Sequence, residues 1–138
     1  MQKIIIHTDG GARGNPGPSG IGVVIANDKQ ETLKEFSKYL GNQTNNFAEY
    51  EALILALTEV KKMLGEAARD AAIEVRMDSE LVVRQCMGIY KVKEPTLKEQ
   101  FAKVAKLREG LSLTFVHVRR EQNKRADELA NEAMDEHS

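Results

Sequence analysis

The apolar run Ile4-Ile5-Ile6 is too short for an ordinary helix and is β-branched throughout, so it reads as a buried strand over residues 4–9. Five glycines and two prolines fall in the next eleven residues, 10–20, and predict that regular structure stops after Asp9. Ile21-Gly22-Val23-Val24-Ile25-Ala26 carries a second strand, over residues 20–26. A polar turn, Asn27-Asp28-Lys29-Gln30, leads to a third over residues 32–40, whose poor alternation suits a sheet edge. Short turns make these three strands antiparallel neighbours.

The pattern then changes period. Tyr50, Leu53, Leu57, Val60 and Leu64 share one helical stripe, with cap-forming residues 41–46 before it and Gly65 as a stop. Residues 73–77 alternate as a strand that ends at Asp78. Ser79 can cap a short helix reaching about Met87, and Gly88 ends it. Pro95 opens another helix, with Leu97, Phe101, Val104 and Leu107 inward and Gly110 after it. Residues 113–118 form a fifth strand, and a last helix runs from about Asn123 to Glu136 with Ala126, Leu129, Ala130 and Ala133 inward. The order βββαβααβα, with right-handed parallel crossovers, predicts an α/β fold. It is a mixed five-stranded sheet, three antiparallel strands then two parallel, with helices on both faces.

The length of 138 residues fits one domain, 1–138, with a proper core. A formal net charge of −1 argues neither for nor against a polyanionic partner; only local clustering can. Cys86 is the only cysteine, which leaves no disulfide framework and no cysteine-based zinc cluster. The N-terminus has no signal-peptide pattern and no segment has the length of a membrane span, so a reducing, cytoplasmic setting and no membrane partner are expected.

Four carboxylates stand at comparable places. Asp9 and Asp78 end strands; Glu49 and Asp127 lie in the first turns of helices. Strand ends and helix starts can share one edge of a mixed sheet. Carboxylates gathered there repel one another unless cations sit between them. An all-oxygen set without cysteine suits magnesium or manganese over zinc. Each acid also has an ordinary use. Asp9 can start a turn before Gly-Gly, Asp78 can cap a helix, and Glu49 and Asp127 can favour helix N-termini electrostatically. Periodicity alone does not choose between these uses.

Motif context is more specific. Thr8-Asp9-Gly10-Gly11, Gly14-Asn15-Pro16-Gly17-Pro18, Thr44-Asn45-Asn46-Phe47-Ala48-Glu49, Met77-Asp78-Ser79 and Asn123-Lys124-Arg125-Ala126-Asp127-Glu128-Leu129-Ala130 follow one another across essentially the whole chain. Together they resemble type 1 ribonuclease H, a fold with the same order of elements. The resemblance implies an endonuclease that cuts the RNA strand of an RNA–DNA hybrid and leaves 5′-phosphate and 3′-hydroxyl ends. It implies that Asp9, Glu49, Asp78 and Asp127 are catalytic and hold two Mg2+ ions, with Mn2+ as a substitute. On that carry-over Asp9 bridges the ions, Asp127 serves the attacking-water side, and Glu49 and Asp78 serve the leaving-group side. Asn15, Thr44, Asn45 and Asn46 match positions that meet nucleic acid in the family, and Gly11 belongs with them as a place of close backbone approach. The expected partner is the hybrid, with double-stranded RNA as a further candidate, and the expected state is a monomer.

The sequence also departs from the family pattern. The segment Val118-Arg119-Arg120-Glu121-Gln122-Asn123 is short and lacks the loop histidine of the best-known bacterial members, which resembles a subgroup found in archaea and some bacteria. His117 and Glu121 are therefore candidate auxiliary residues, with plainer readings as a strand residue and a solvated acid. The family's basic handle is missing: residues 88–95 are short, and the chain has no Trp. Lys91, Lys93 and Lys98 offer a modest basic strip, and Phe47 stands where some members place an Arg. Weaker, more salt-sensitive hybrid binding is expected than in handle-bearing members. Two other readings share the fold: a non-catalytic hybrid-binding module and a different two-metal nuclease. The four acids argue against the first, and the Asn-Pro-Gly and Thr-Asn-Asn blocks argue against both.

Overall fold

The structure, a computed structural model, describes residues 2–137. Strands β1 (Lys3–Ala12), β2 (Gly17–Asn27) and β3 (Thr32–Gln43) are followed by helix α1 (Asn45–Leu64), strand β4 (Ala72–Met77), helices α2 (Glu80–Cys86) and α3 (Pro95–Leu107), strand β5 (Ser112–His117) and helix α4 (Lys124–Glu136). Short 3-10 turns, Gly65–Asp70 and Arg120–Gln122, lie after α1 and before α4. The sheet order is β3-β2-β1-β4-β5, antiparallel from β1 to β3 and parallel from β1 to β5. The expected α/β architecture is the observed one, with β3 on the edge.

Strand alternation decides which helix each residue meets. Ile4, Ile6, Val23, Ile25, Ile73 and Val75 point to one face and pack with Tyr50, Leu53, Leu57 and Val60 of α1. Val82 and Val83 of α2 and Leu97 and Val104 of α3 close the same core. On the opposite face Val24 packs with Ala126 and Leu129 of α4. Helix starts follow local chemistry: Thr44, Ser79 and Glu94 cap α1, α2 and α3 with their side chains. Gly65 accepts a positive φ where α1 stops. Among the described residues no helix is long and apolar enough to cross a membrane.

One expectation is corrected. Regular structure does not stop at Asp9: β1 continues through Gly10, Gly11 and Ala12, which pair with Ile21, Gly20 and Ser19. Glycine weakens a strand without barring it from the ladder, and here its missing side chain has a packing use. A Cβ on Gly10 would lie 2.4 Å from the carbonyl carbon of Ala48, so only glycine lets α1 come down onto β1. The true turn is confined to residues 13–16.

The same argument applies beneath α4. A Cβ on Gly22 would stand 2.1 Å from the carbonyl oxygen of Ala126, whereas Gly88 has open space and a φ of +78°. Gly22→Ala should cost at least about 2 kcal/mol by overpacking. Gly88→Ala should cost about 1 kcal/mol by left-handed strain. Urea unfolding of both variants checks the order; equal midpoint shifts would mean that α4 is not seated by close backbone contact.

Candidate active site

Each acid reaches the site by a different route. Asp9 sits in β1, hydrogen-bonded on one side to β2 and flanked on the other by β4. Asp78 follows the last residue of β4, one position before the Ser79 cap. Glu49 lies in the early part of α1, and its Oε1 accepts the Gly10 N–H at 2.7 Å. Asp127 is in the first turn of α4. Ligand oxygens of Asp9, Glu49 and Asp78 all lie within 4.8 Å of one another. Asp127 stands against Asp9 from the α4 side, outside that tight trio but in the same cavity of about 690 Å³. All four acids that the motifs single out therefore line one cavity.

The electrostatics follow from burial and crowding. Asp9 and Glu49 are each only 8 % exposed. Burial, then the charge of Asp78, then Asp127, push the Asp9 carboxyl up to about 8. Glu49 is raised by burial and by the charges of Asp9 and Asp78, against the lowering effect of the Gly10 N–H. Of the positive groups lining the cavity, Arg120 pairs with Asp127 at 3.5 Å, while Arg13 turns to Asp135 at 2.6 Å. Among the described residues no cationic side chain pairs with Asp9. A hard divalent ion is the charge that this oxygen set lacks, so the residues fit one.

The candidate nucleic-acid residues lie along the rim. Asn15 Oδ1 accepts the Asn45 N–H at 3.0 Å, and Asn45 Oδ1 accepts the Ala12 N–H at 2.8 Å. Because each amide oxygen faces a backbone donor, each NH2 is left as the outward donor. Thr44 Oγ1 accepts from Phe47 N at 3.2 Å as the cap of α1. Gly11 and Asn45 line the acidic cavity; Asn15, Thr44 and Asn46 line a neighbouring one. His117, at the end of β5, also lines the acidic cavity. Glu121 is not brought there. The 3-10 turn over Arg120–Gln122 places it in a separate cavity with His7, Arg76 and Lys124.

Sequence reasoning missed two residues. Asn123 is 1 % exposed, and its Nδ2 donates to the Thr8 carbonyl at 2.8 Å, tying the start of α4 to β1 beside Asp9. It opens the last motif block, where the sequence gives its side chain no role beyond a helix start, and it makes no cap hydrogen bond. Arg120 carried no signal beyond its charge.

A reverse transcriptase-like family model matches residues 7–133. A ribonuclease H of Clostridium botulinum is 34 % identical over 99 % of this chain and 98 % of its own length. The chain belongs to the ribonuclease H family. LC11-RNase H1, isolated from compost, is 62 % identical with a TM-score of 0.93, covering 99 % of this chain and 98 % of its own. The same relative has been solved in complex with an RNA/DNA hybrid, at 61 % identity and a TM-score of 0.92, over 96 % of this chain and 97 % of that one. A bifunctional protein of Mycobacterium tuberculosis is 42 % identical over 96 % of this chain, which spans only 36 % of that protein's length. As a ribonuclease H this chain is short between α2 and α3, where residues 87–94 form no helix and so no basic handle.

The raised carboxyl of Asp9 has a stability consequence. An unfolded Asp loses its proton near 3.8, while folded Asp9 keeps it to about 8. The folded state therefore binds the extra proton between these values, and stability falls as pH rises through them. His7, held below its ordinary 6.5 by burial and Arg76, contributes in the opposite sense but only below that value. In chelator, the melting temperature should fall from about pH 6.5 to about pH 8, more for wild type than for Asp9→Asn. Added Mg2+ should restore more at the alkaline end. Calorimetry across that range checks it, and parallel curves for the two proteins would contradict it.

Proposed function

We propose that this chain is a metal-dependent endonuclease that hydrolyses the RNA strand of RNA–DNA hybrids, leaving 5′-phosphate and 3′-hydroxyl ends. The observation that carries the reading is the meeting of Asp9, Glu49 and Asp78 within 4.8 Å, brought together from β1, α1 and the end of β4. The hybrid-bound relative supports the substrate class. On this reading residues 1–138 act as one domain, as a monomer in the cytoplasm, with two Mg2+ ions or Mn2+ as their substitute.

Asp9, Glu49, Asp78 and Asp127 would hold two divalent ions. When bound, such ions supply an acidified water and neutralise charge on the leaving oxygen of a phosphodiester. Asp9, which meets Asp127 as well as Glu49 and Asp78, would serve both ions; Asp127 would serve the attacking side, and Glu49 and Asp78 the leaving side. The Gly10 N–H fixes the Glu49 carboxylate, and the β2 ladder together with the Thr8–Met77 pairing just before it fixes Asp9. The outward amides of Asn15 and Asn45, with Thr44, Asn46 and the open backbone at Gly11, form a donor-rich rim. Such a rim suits 2′-hydroxyls and minor-groove acceptors more than base identity, so sequence preference should be weak. His117 lines the same cavity as the acids and is the auxiliary candidate that the geometry favours over Glu121.

End-labelled hybrid, double-stranded RNA and DNA duplex, each incubated with Mg2+, Mn2+ or chelator, test the reading. Internal cuts in hybrid RNA that vanish in chelator are expected; cuts in double-stranded RNA would add a substrate. Binding without cleavage, or stepwise trimming from an end, would replace this reading with a binding module or an exonuclease. Asp9→Asn should lower cleavage by at least on the order of a hundredfold while the protein stays folded. Loss of activity that merely tracks unfolding would make Asp9 structural.

A further inference from the structure

Beside the acidic site a second cavity, of about 360 Å³, opens where α1 and α3 both begin. Asn15, Thr44 and Asn46 line one side of it, and Glu94 and Thr96 line the other. Its lining contains a single charged side chain, Glu94. Two helix N-termini here present partial positive charge and backbone donors, which would draw an anion in. The chain meets the α3 donors itself: Glu94 Oε2 accepts the Leu97 N–H at 2.9 Å, and Thr96 also hydrogen-bonds the carboxylate. The polar residues that the proposed function assigns to nucleic acid thus share their cavity with a fixed negative charge.

We propose that Glu94 is an affinity-determining residue: its carboxylate takes the α3 backbone donors that a nucleic-acid phosphate would otherwise use, and repels the backbone passing over Asn15, Thr44 and Asn46. The inference rests on the hybrid-nuclease reading. Glu94 touches no reacting group, so it sets how tightly substrate is held without altering the chemical step. The sequence supports the opposite first impression, because Lys91, Lys93 and Lys98 flank Glu94 and suggest a basic strip. None of these lysines lines the cavity.

Three substitutions separate charge from capping. Glu94→Ser keeps a good cap and removes the charge, Glu94→Gln removes the charge with a weaker cap, and Glu94→Asp keeps both. Glu99→Gln, on the exposed part of α3 outside the cavity, is the control for overall charge. With a defined RNA–DNA hybrid and Mg2+, Glu94→Ser and Glu94→Gln should lower KM about fivefold at low salt with kcat unchanged, the scale of one nearby charge in a wet site. Glu94→Asp should match wild type. The gain should shrink as salt screens the charge. An unchanged or raised KM in both neutral variants, or an equal gain in Glu99→Gln, overturns the proposal while leaving the nuclease reading intact. Failure of wild type to cut the hybrid overturns both, and is seen before any variant is compared.

Discussion

Repulsion among carboxylates at one sheet edge is the constraint around which this fold is arranged. Asp9 and Glu49 are nearly buried and crowd against Asp78, with Asp127 against Asp9. Left to themselves, such groups separate or take up protons. The strands beneath prevent separation. Ile4 and Ile6 of the strand that carries Asp9 pack against Val23, Ile25, Leu53 and Leu57, all of them fully buried. Each such side chain contributes roughly 1.5–3 kcal/mol of burial, so the core can offset a site that is unfavourable by itself. Burial and the neighbouring acids push the Asp9 carboxyl up to about 8, so a cation bound there would displace a proton.

Closeness of backbones matters as much as core volume. Glu49 meets the Gly10 N–H only because α1 descends to contact distance where glycine has no side chain. On the other face α4 lies on Gly20 and Gly22 by the same device, and Asn123 fastens its first turn to the Thr8 carbonyl. Asp127 is thereby delivered to Asp9 by main-chain packing instead of by a long flexible side chain. These short contacts place Glu49 and Asp127 against Asp9, and the parallel pairing of β1 with β4, through Thr8 and Met77, brings Asp78 alongside.

Those contacts also mark the boundary of what the residues disclosed beforehand. The stripe on α1, the caps at Thr44 and Ser79 and the edge position of β3 follow from periodicity and turn chemistry, which are local. The convergence of the acids was legible only through ordered motifs, since each acid alone has an adequate structural use. Gly10 and Gly11 were read as the end of a strand, because a glycine seen in sequence does not reveal what approaches it in space. Asn123 was read as the start of a helix, because its hydrogen bond crosses from α4 to β1. Glu121 was a candidate by its place in the loop, and one turn of 3-10 helix points it into a different cavity. For Gly10, Gly11 and Asn123 what escaped was a long-range contact made by a residue whose local role looked sufficient; for Glu121 it was the direction given by a local turn.

The surface charges bear on how a polyanion would be held. Arg13 is paired with Asp135, Arg76 with Glu74, Arg84 with Glu80 and Arg125 with Glu35. Arginines already matched to carboxylates displace few counterions from a nucleic acid, so they add little to long-range attraction. The expectation of steeper salt dependence without the handle therefore gives way to a different one. Fewer phosphate contacts make binding weak, and they make its salt slope shallow as well. Substrate would then be held mainly at short range, by the outward amides of Asn15 and Asn45 and by whatever cations the acids admit. On the proposed function, the same carboxylates that repel the nucleic acid when bare would become its principal anchor once they hold metal, and binding and catalysis would then rest on one set of residues.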